Sequence, residues 1–121
     1  MTILTEGPRN AGYLVSEANG TRSREVVTLA AGHIYLPGAV LGKVTATDKY
    51  GPLNPAGNDG SEKAAAVLYA GVDATDADKP GVVTARDSEV QATELIYPAG
   101  ITPEQTTTAL ADLAALGIVA R

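Results

Sequence analysis

Thr28-Leu-Ala-Ala-Gly-His-Ile-Tyr-Leu-Pro-Gly-Ala-Val-Leu-Gly-Lys-Val-Thr-Ala-Thr47 decides the fold. Leu36-Pro37-Gly38-Ala39 at its centre fits a type II turn. Proline presets φ at the second position, and glycine accepts the positive φ of the third. Pro37 and Gly38 are therefore read as structural turn residues. Leu29, Ile34, Tyr35 and Leu36 precede the turn, and Val40, Leu41, Val44 and Thr45 follow it. Such residues suit a pleated, half-buried surface. Gly32 and Gly42 interrupt the two arms where a ribbon bulges or bends. The expected object is a bent β-ribbon on which the rest of the chain closes.

The flanking sequence adds strands. Tyr13–Val15 and Glu25–Leu29 read as strands, separated by a loop with the turn dipeptide Asn19-Gly20. Residues 48–60 (DKYGPLNPAGNDG) read as a long irregular loop. Ala64–Val72 reads as one buried strand, and Asp73–Gly81 as a turn-rich acidic connection. Its aspartates do not match the spacing of an EF-hand loop and are read as turn formers. Val82–Arg86 and Glu89–Tyr97 read as a late hairpin around Asp87-Ser88. One helix is expected from Thr102, with Pro103 at its first position and Gln105 completing a capping box. Ala109, Leu110, Leu113, Ala114 and Leu116 form its apolar stripe, Gly117 ends it, and Ile118-Val119 begin a last short strand. The class is mainly β with a minor α part. An extended N-terminal arm occupies residues 1–12 and a single β domain residues 13–121.

Composition narrows the chemistry. The 121 residues include no Cys, Trp or Phe and a single His, so disulfides and thiolate metal sites are excluded. An alanine-rich core gains little area per residue, which makes an oligomeric interface a candidate source of stability. Residues 1–60 carry five basic and five acidic side chains, and residues 61–121 four and nine, so the net charge of −5 lies in the second half. Nucleic acid is not an expected partner, because phosphate binding needs a concentrated basic surface. No apolar run is long enough for a membrane span and no signal peptide is legible, so no membrane association is expected. No nucleophile elbow, phosphate loop or paired-carboxylate motif stands out around His33. The chain reads as a non-enzyme without catalytic, metal or cofactor residues. Arg22 and Arg24, two apart on an extended segment, point the same way; they grip carboxylates on a partner or end a solvated loop.

The stretches GYLVSEANGTRSREVVTLAAG (12–32), LPGAVLGKV (36–44) and ELIYPAGIT (94–102), with the terminal LAALGIVAR (113–121), resemble the head decoration proteins of lambdoid tailed phages and related prophages. The resemblance covers nearly the whole chain. It implies a β-clip fold and a structural virion protein, made in the host cytoplasm. It also implies trimers on the outer surface of the expanded capsid, at local threefold positions. There they tie neighbouring major capsid proteins together against internal DNA pressure. The family uses its N-terminal arm against the capsid by adding to its β-structure, a mode that needs an extended segment with free backbone groups. Here Thr2, Ile3, Leu4, Thr5, Arg9, Tyr13 and Leu14 match that description, with Arg22 and Arg24 turned toward the shell. The alternative is a recognition module, free-standing or capsid-displayed, that binds a glycan or a host protein.

Overall fold

The computed structural model describes residues 10–18, 20 and 22–121. The expected arm segment 1–9, including Thr2 to Thr5 and Arg9, lies outside the described residues. The strands are β1 (Leu14–Glu17), β2 (Arg24–Leu29), β3 (His33–Tyr35), β4 (Val40–Lys43), β5 (Tyr50–Pro52), β6 (Ala64–Leu68), β7 (Val72–Ala74), β8 (Lys79–Thr84), β9 (Ser88–Val90) and β10 (Ile118–Ala120). The helix α1 spans Pro103–Ala115. Five strands close a barrel in the order β2-β5-β4-β6-β8; β1, β9 and β10 form a second sheet and β3 with β7 a third. The mainly β class with one C-terminal helix is thus what the chain adopts.

The turn at its centre forms, but it does not close a ribbon. Ala39 N–H donates to the Leu36 carbonyl at 3.1 Å, and Gly38 has φ +89°. Yet β3 pairs with β7, while β4 pairs with β5 and β6. The turn carries the chain from one sheet to another. Its own polar groups explain why. Gly38 N–H donates to Leu68 O at 2.8 Å, and Leu68 N–H to Ala39 O at 2.9 Å. On the other side, Ile96 N–H donates to Gly38 O and Val40 N–H to Ile96 O, both at 2.9 Å. Pro37 and Gly38 are buried. A Cβ on Gly38 would sit 2.8 Å from the Glu94 carbonyl. Buried backbone groups must be paired, and here the partners are distant in sequence.

Other expectations shift for the same reason. The hairpin lies between β4 and β5, closed where Asp48 N–H donates to Val44 O and Val44 N–H to Lys49 O, both at 2.9 Å. The irregular loop therefore contains a strand, which sits between β4 and Leu29 of β2. The Ala64–Val72 run divides: β6 ends at Leu68 and β7 begins at Val72. The late hairpin is absent. β8 pairs with β2 and β6, whereas β9 pairs with β1 and, in parallel, with β10. Asp87, at φ +49°, turns the chain out of the barrel into the other sheet, and Ala92–Glu94 form a 3-10 turn rather than strand.

The helix follows its local signals. Thr102 accepts from Gln105 N–H at 3.1 Å while the Gln105 side chain accepts from Thr102 N–H at 3.0 Å. Gly117 closes it at φ +88°. Ala109 and Leu113 are buried, but Leu116, at the cap, is 42% exposed, so the stripe is shorter than its sequence pattern. Two apolar cores result. Leu29, Tyr35, Leu41, Ala66, Leu68, Ala74 and Val83 fill one. Tyr13, Val40, Leu53, Val67, Val90, Leu113 and Ile118 belong to the other, which includes the buried helix face. A bulge in the β4–β6 ladder at Leu41–Gly42 breaks the two-residue alternation of β6. Ala64 and Val67 thereby join one core and Ala66 and Leu68 the other.

Candidate functional site

The described chain begins within the expected arm of residues 1–12, and its residues 10–12 form a turn instead of an extended segment: Ala11 has φ +57°, and Leu14 N–H donates to Ala11 O at 3.0 Å. Ala11 N–H donates to Tyr69 O at 2.8 Å, and the Asn10 side-chain oxygen accepts from Gly71 N–H at 3.2 Å. Tyr69 and Gly71 both lie on the link between β6 and β7. Tyr13 is 2% exposed; its hydroxyl bonds the Thr84 hydroxyl, and its carbonyl accepts from Gln91 N–H at 2.7 Å. Burial pushes the Tyr13 phenol up to about 12, opposed by the Thr84 bond. Leu14 packs against the core that includes the helix. Tyr13 is therefore a core residue and Leu14 packs against that core.

The two arginines separate. Ser23 between them is fully buried and donates to Asp87 O at 2.9 Å, so Arg22 and Arg24 flank an inward residue. Arg24 donates to both Glu17 carboxylate oxygens, through Nε at 3.2 Å and through its second nitrogen. Its guanidinium carbon also lies 4.2 Å from the centroid of the Tyr69 ring. The Glu17 carboxylate raises Arg24 above its usual range. A fork already matched to a carboxylate and stacked on an aromatic face is part of the body. Arg22 is exposed and lies 3.5 Å from Asp87, a weak surface pair that leaves it accessible.

Beside the buried turn runs an apolar groove of about 150 Å³, lined by Ile34, Leu36, Pro52, Ile96, Tyr97 and Pro98 among others. Among the described residues no charged side chain lines it. Ile34 is 67% and Leu36 43% exposed, though both are large and apolar. The Tyr97 hydroxyl is shielded from solvent and has no hydrogen-bond partner among the described residues. Burial raises its pKa. A buried hydroxyl left unpaired costs about 1–3 kcal/mol. Sequence reading passed over Tyr97 and Tyr69. Their one signal was composition: two of only five tyrosines in a chain without Phe or Trp.

The acidic connection does what short aspartate loops do. Asp73 accepts from the Thr75 backbone and hydroxyl at 3.1 and 2.5 Å, which lowers its pKa. Asp78 instead reaches across the fold, 2.6 Å from Lys49 Nζ and accepting from Ala31 N–H at 2.8 Å; those contacts lower its pKa. His33 is exposed on β3 with its ring 5.8 Å from that of Tyr35. A wide depression of about 610 Å³ holds the Glu25–Arg86 pair, 2.9 Å apart, with Lys43, which lies 3.6 Å from Asp48, and Asp87, which lies 3.5 Å from Arg22, so each of its charges has a counter-charge. Among the described residues no group of three potential metal ligands occurs, and no helix is long and apolar enough to cross a membrane.

Among the described residues, the exposed Arg22 and the apolar groove are the features least matched by the chain's own side chains. Compared with known proteins, residues 3–118 match the family model of bacteriophage lambda head decoration protein D. No curated protein matches the chain.

Proposed function

The chain belongs to the bacteriophage lambda head decoration protein family, and its role is that of a structural protein of the phage capsid; from that premise we propose that it binds as trimers to local threefold sites on the outside of the expanded shell and stabilises it against internal DNA pressure. The family match over nearly the full length carries this reading. Residues 1–12 act as an arm and 13–121 as the body that holds it. Thr2, Ile3, Leu4, Thr5 and Arg9 add to the β-structure of the major capsid protein through backbone groups. Tyr13 and Leu14 serve by anchoring, not by touching the shell: the buried ring and its Thr84 bond hold one end of the arm in place. Fixing that end reduces the entropy lost when the arm orders on the shell. Arg22 faces the shell, and Arg24 stiffens the root through Glu17. A trimer engages several sites at once, so modest affinity per arm sums to firm retention.

Co-sedimentation with expanded, undecorated shells tests this. Full-length protein saturates near equal numbers of the two proteins and ignores unexpanded shells. A chain lacking residues 1–9 stays folded, because the bonds at Asn10 and Ala11 are retained, but no longer pellets. Undiminished binding by that shortened chain would refute the arm's role.

A further inference from the structure

We propose that the hollow lined by Glu25, Lys43, Ala65, Ala85 and Arg86 receives a second copy of this chain, which docks by the tip at Leu116 that ends its helix α1. The proposal rests on the trimeric part of the reading above and assigns the face by which one copy holds the next.

Charge is the first argument. The charged side chains lining the hollow are Glu25, Lys43, Arg86 and Asp87. Two are basic and two acidic, so this face is neutral and the chain's net charge of −5 lies elsewhere. Copies of an acidic chain repel one another through their other surfaces, and here they do not. The counter-charges within the chain leave the hollow open. In the pairs Glu25–Arg86, Lys43–Asp48 and Arg22–Asp87 every side chain is 42–80% exposed. Such pairs contribute little by themselves and re-form readily with a partner's charges.

The second argument is the fit of the chain's own surface. Ala65 and Ala85 are small, and the hollow beside them measures about 610 Å³. At its lip stands Leu116, the C-cap of α1, 42% exposed although large and apolar. The last turn of α1 carries no basic side chain. A helix C-terminus bears partial negative charge. Asp87 adds to it, since a Cβ on Gly117 would lie 3.1 Å from Asp87 N. The tip is therefore an apolar side chain in a negative setting. Lys43 and Arg86 in the hollow of the next copy supply the matching cations, and Ala65 and Ala85 the apolar floor. Tip and hollow are different surfaces, so the contact runs head to tail and closes as a ring. It also buries apolar area that an alanine-rich core does not provide.

The chain has no cysteine, so single thiols report on chosen positions. Full-length Leu116→Cys and full-length Ala65→Cys are mixed and oxidised, at high concentration in solution and on expanded shells. A disulfide between the two variants joins two chains, and it forms only where Cα atoms come within about 7 Å. The mixed link is expected to outnumber the links between like variants. Excess unaltered protein suppresses it. Leu116→Lys suppresses it at least about tenfold less well, as a hot-spot loss does. Its thermal midpoint when dilute stays that of the unaltered chain, because the side chain is exposed. Absence of the mixed link in both settings overturns the proposal, as does a mixed link no commoner than the like ones. Equal suppression by Leu116→Lys also overturns it. So does loss of pelleting by Leu116→Lys where no mixed link forms, which assigns the face to the shell. If the unaltered protein fails to pellet but the mixed link forms in solution, the capsid-binding reading falls and this contact stands. If it pellets and no mixed link forms, only this contact falls.

Discussion

The two cores of this protein do different work. The core of Leu29, Leu41, Ala66, Leu68 and Val83 is drawn from strands of the closed barrel, with Tyr35 and Ala74 from the small β3–β7 sheet. A closed barrel has no free edges, so that core is sealed by its own hydrogen bonding. The other core joins unlike parts: β4 and β6 from the barrel, the face of α1, the β1-β9-β10 sheet, and Tyr13 at the arm root. It also contains a polar bridge, Tyr13 to Thr84, both buried. The first core makes the body, and the second connects the body to the segment proposed to reach the shell. Because β4 and β6 supply residues to both, the two are mechanically one unit.

That last point can be broken most directly by truncating one residue in each core. Leu41→Ala and Leu113→Ala both remove fully buried side chains and should each cost about 2–5 kcal/mol in urea unfolding. A single shared transition is expected in both variants. A separate early transition in Leu113→Ala alone would split the protein into two units. Gly38→Ala sharpens the role of the crossover between them. The added methyl meets the Glu94 carbonyl at 2.8 Å, and the residue must hold φ +89°. A loss of about 1–3 kcal/mol is expected by the same measurement. A loss of only a few tenths would mean that the turn yields easily.

The polar bridge gives the connecting core a signature at high pH. Burial raises Tyr13 from the usual value near 10 to about 12. The folded state thus holds its proton where the unfolded chain has released it. Stability from this group is intact below pH 10 and falls as pH rises toward 12, by roughly 2–3 kcal/mol in all. Tyr13→Phe should flatten that part of the pH profile. An identical profile in the variant would place the titration elsewhere, Tyr35 and Tyr97 being the other raised phenols. The smallest effect belongs to the helix start. Thr102→Ala removes the cap to Gln105 N–H and should lower stability by about 1 kcal/mol, with no change in shell binding.

Local chemistry was legible in the sequence wherever the signal and its partner lie within a few residues. The capping box of Thr102 and Gln105, the left-handed Gly117 and the Leu36–Ala39 reversal are all of that kind, and all stand in the structure. The mainly β class followed from apolar, β-branched runs punctuated by Gly and Pro. Partner choice did not follow. Period-two patterning says that a segment has two faces, but not which strand it meets, so β4 was matched to β3 when its ladders are with β5 and β6. The bulge at Gly42 hid which side of β6 faces which core. Arg24 looked available because its sequence neighbours do not include Tyr69, whose ring it covers. The groove beside Tyr97 joins residues 34 to 98 and has no sequence motif at all. Turns and caps are settled by short-range sterics and hydrogen bonds, which the chain carries in itself. Ladders, cores and grooves are settled by which distant backbone and apolar groups find each other, and only the folded chain decides that.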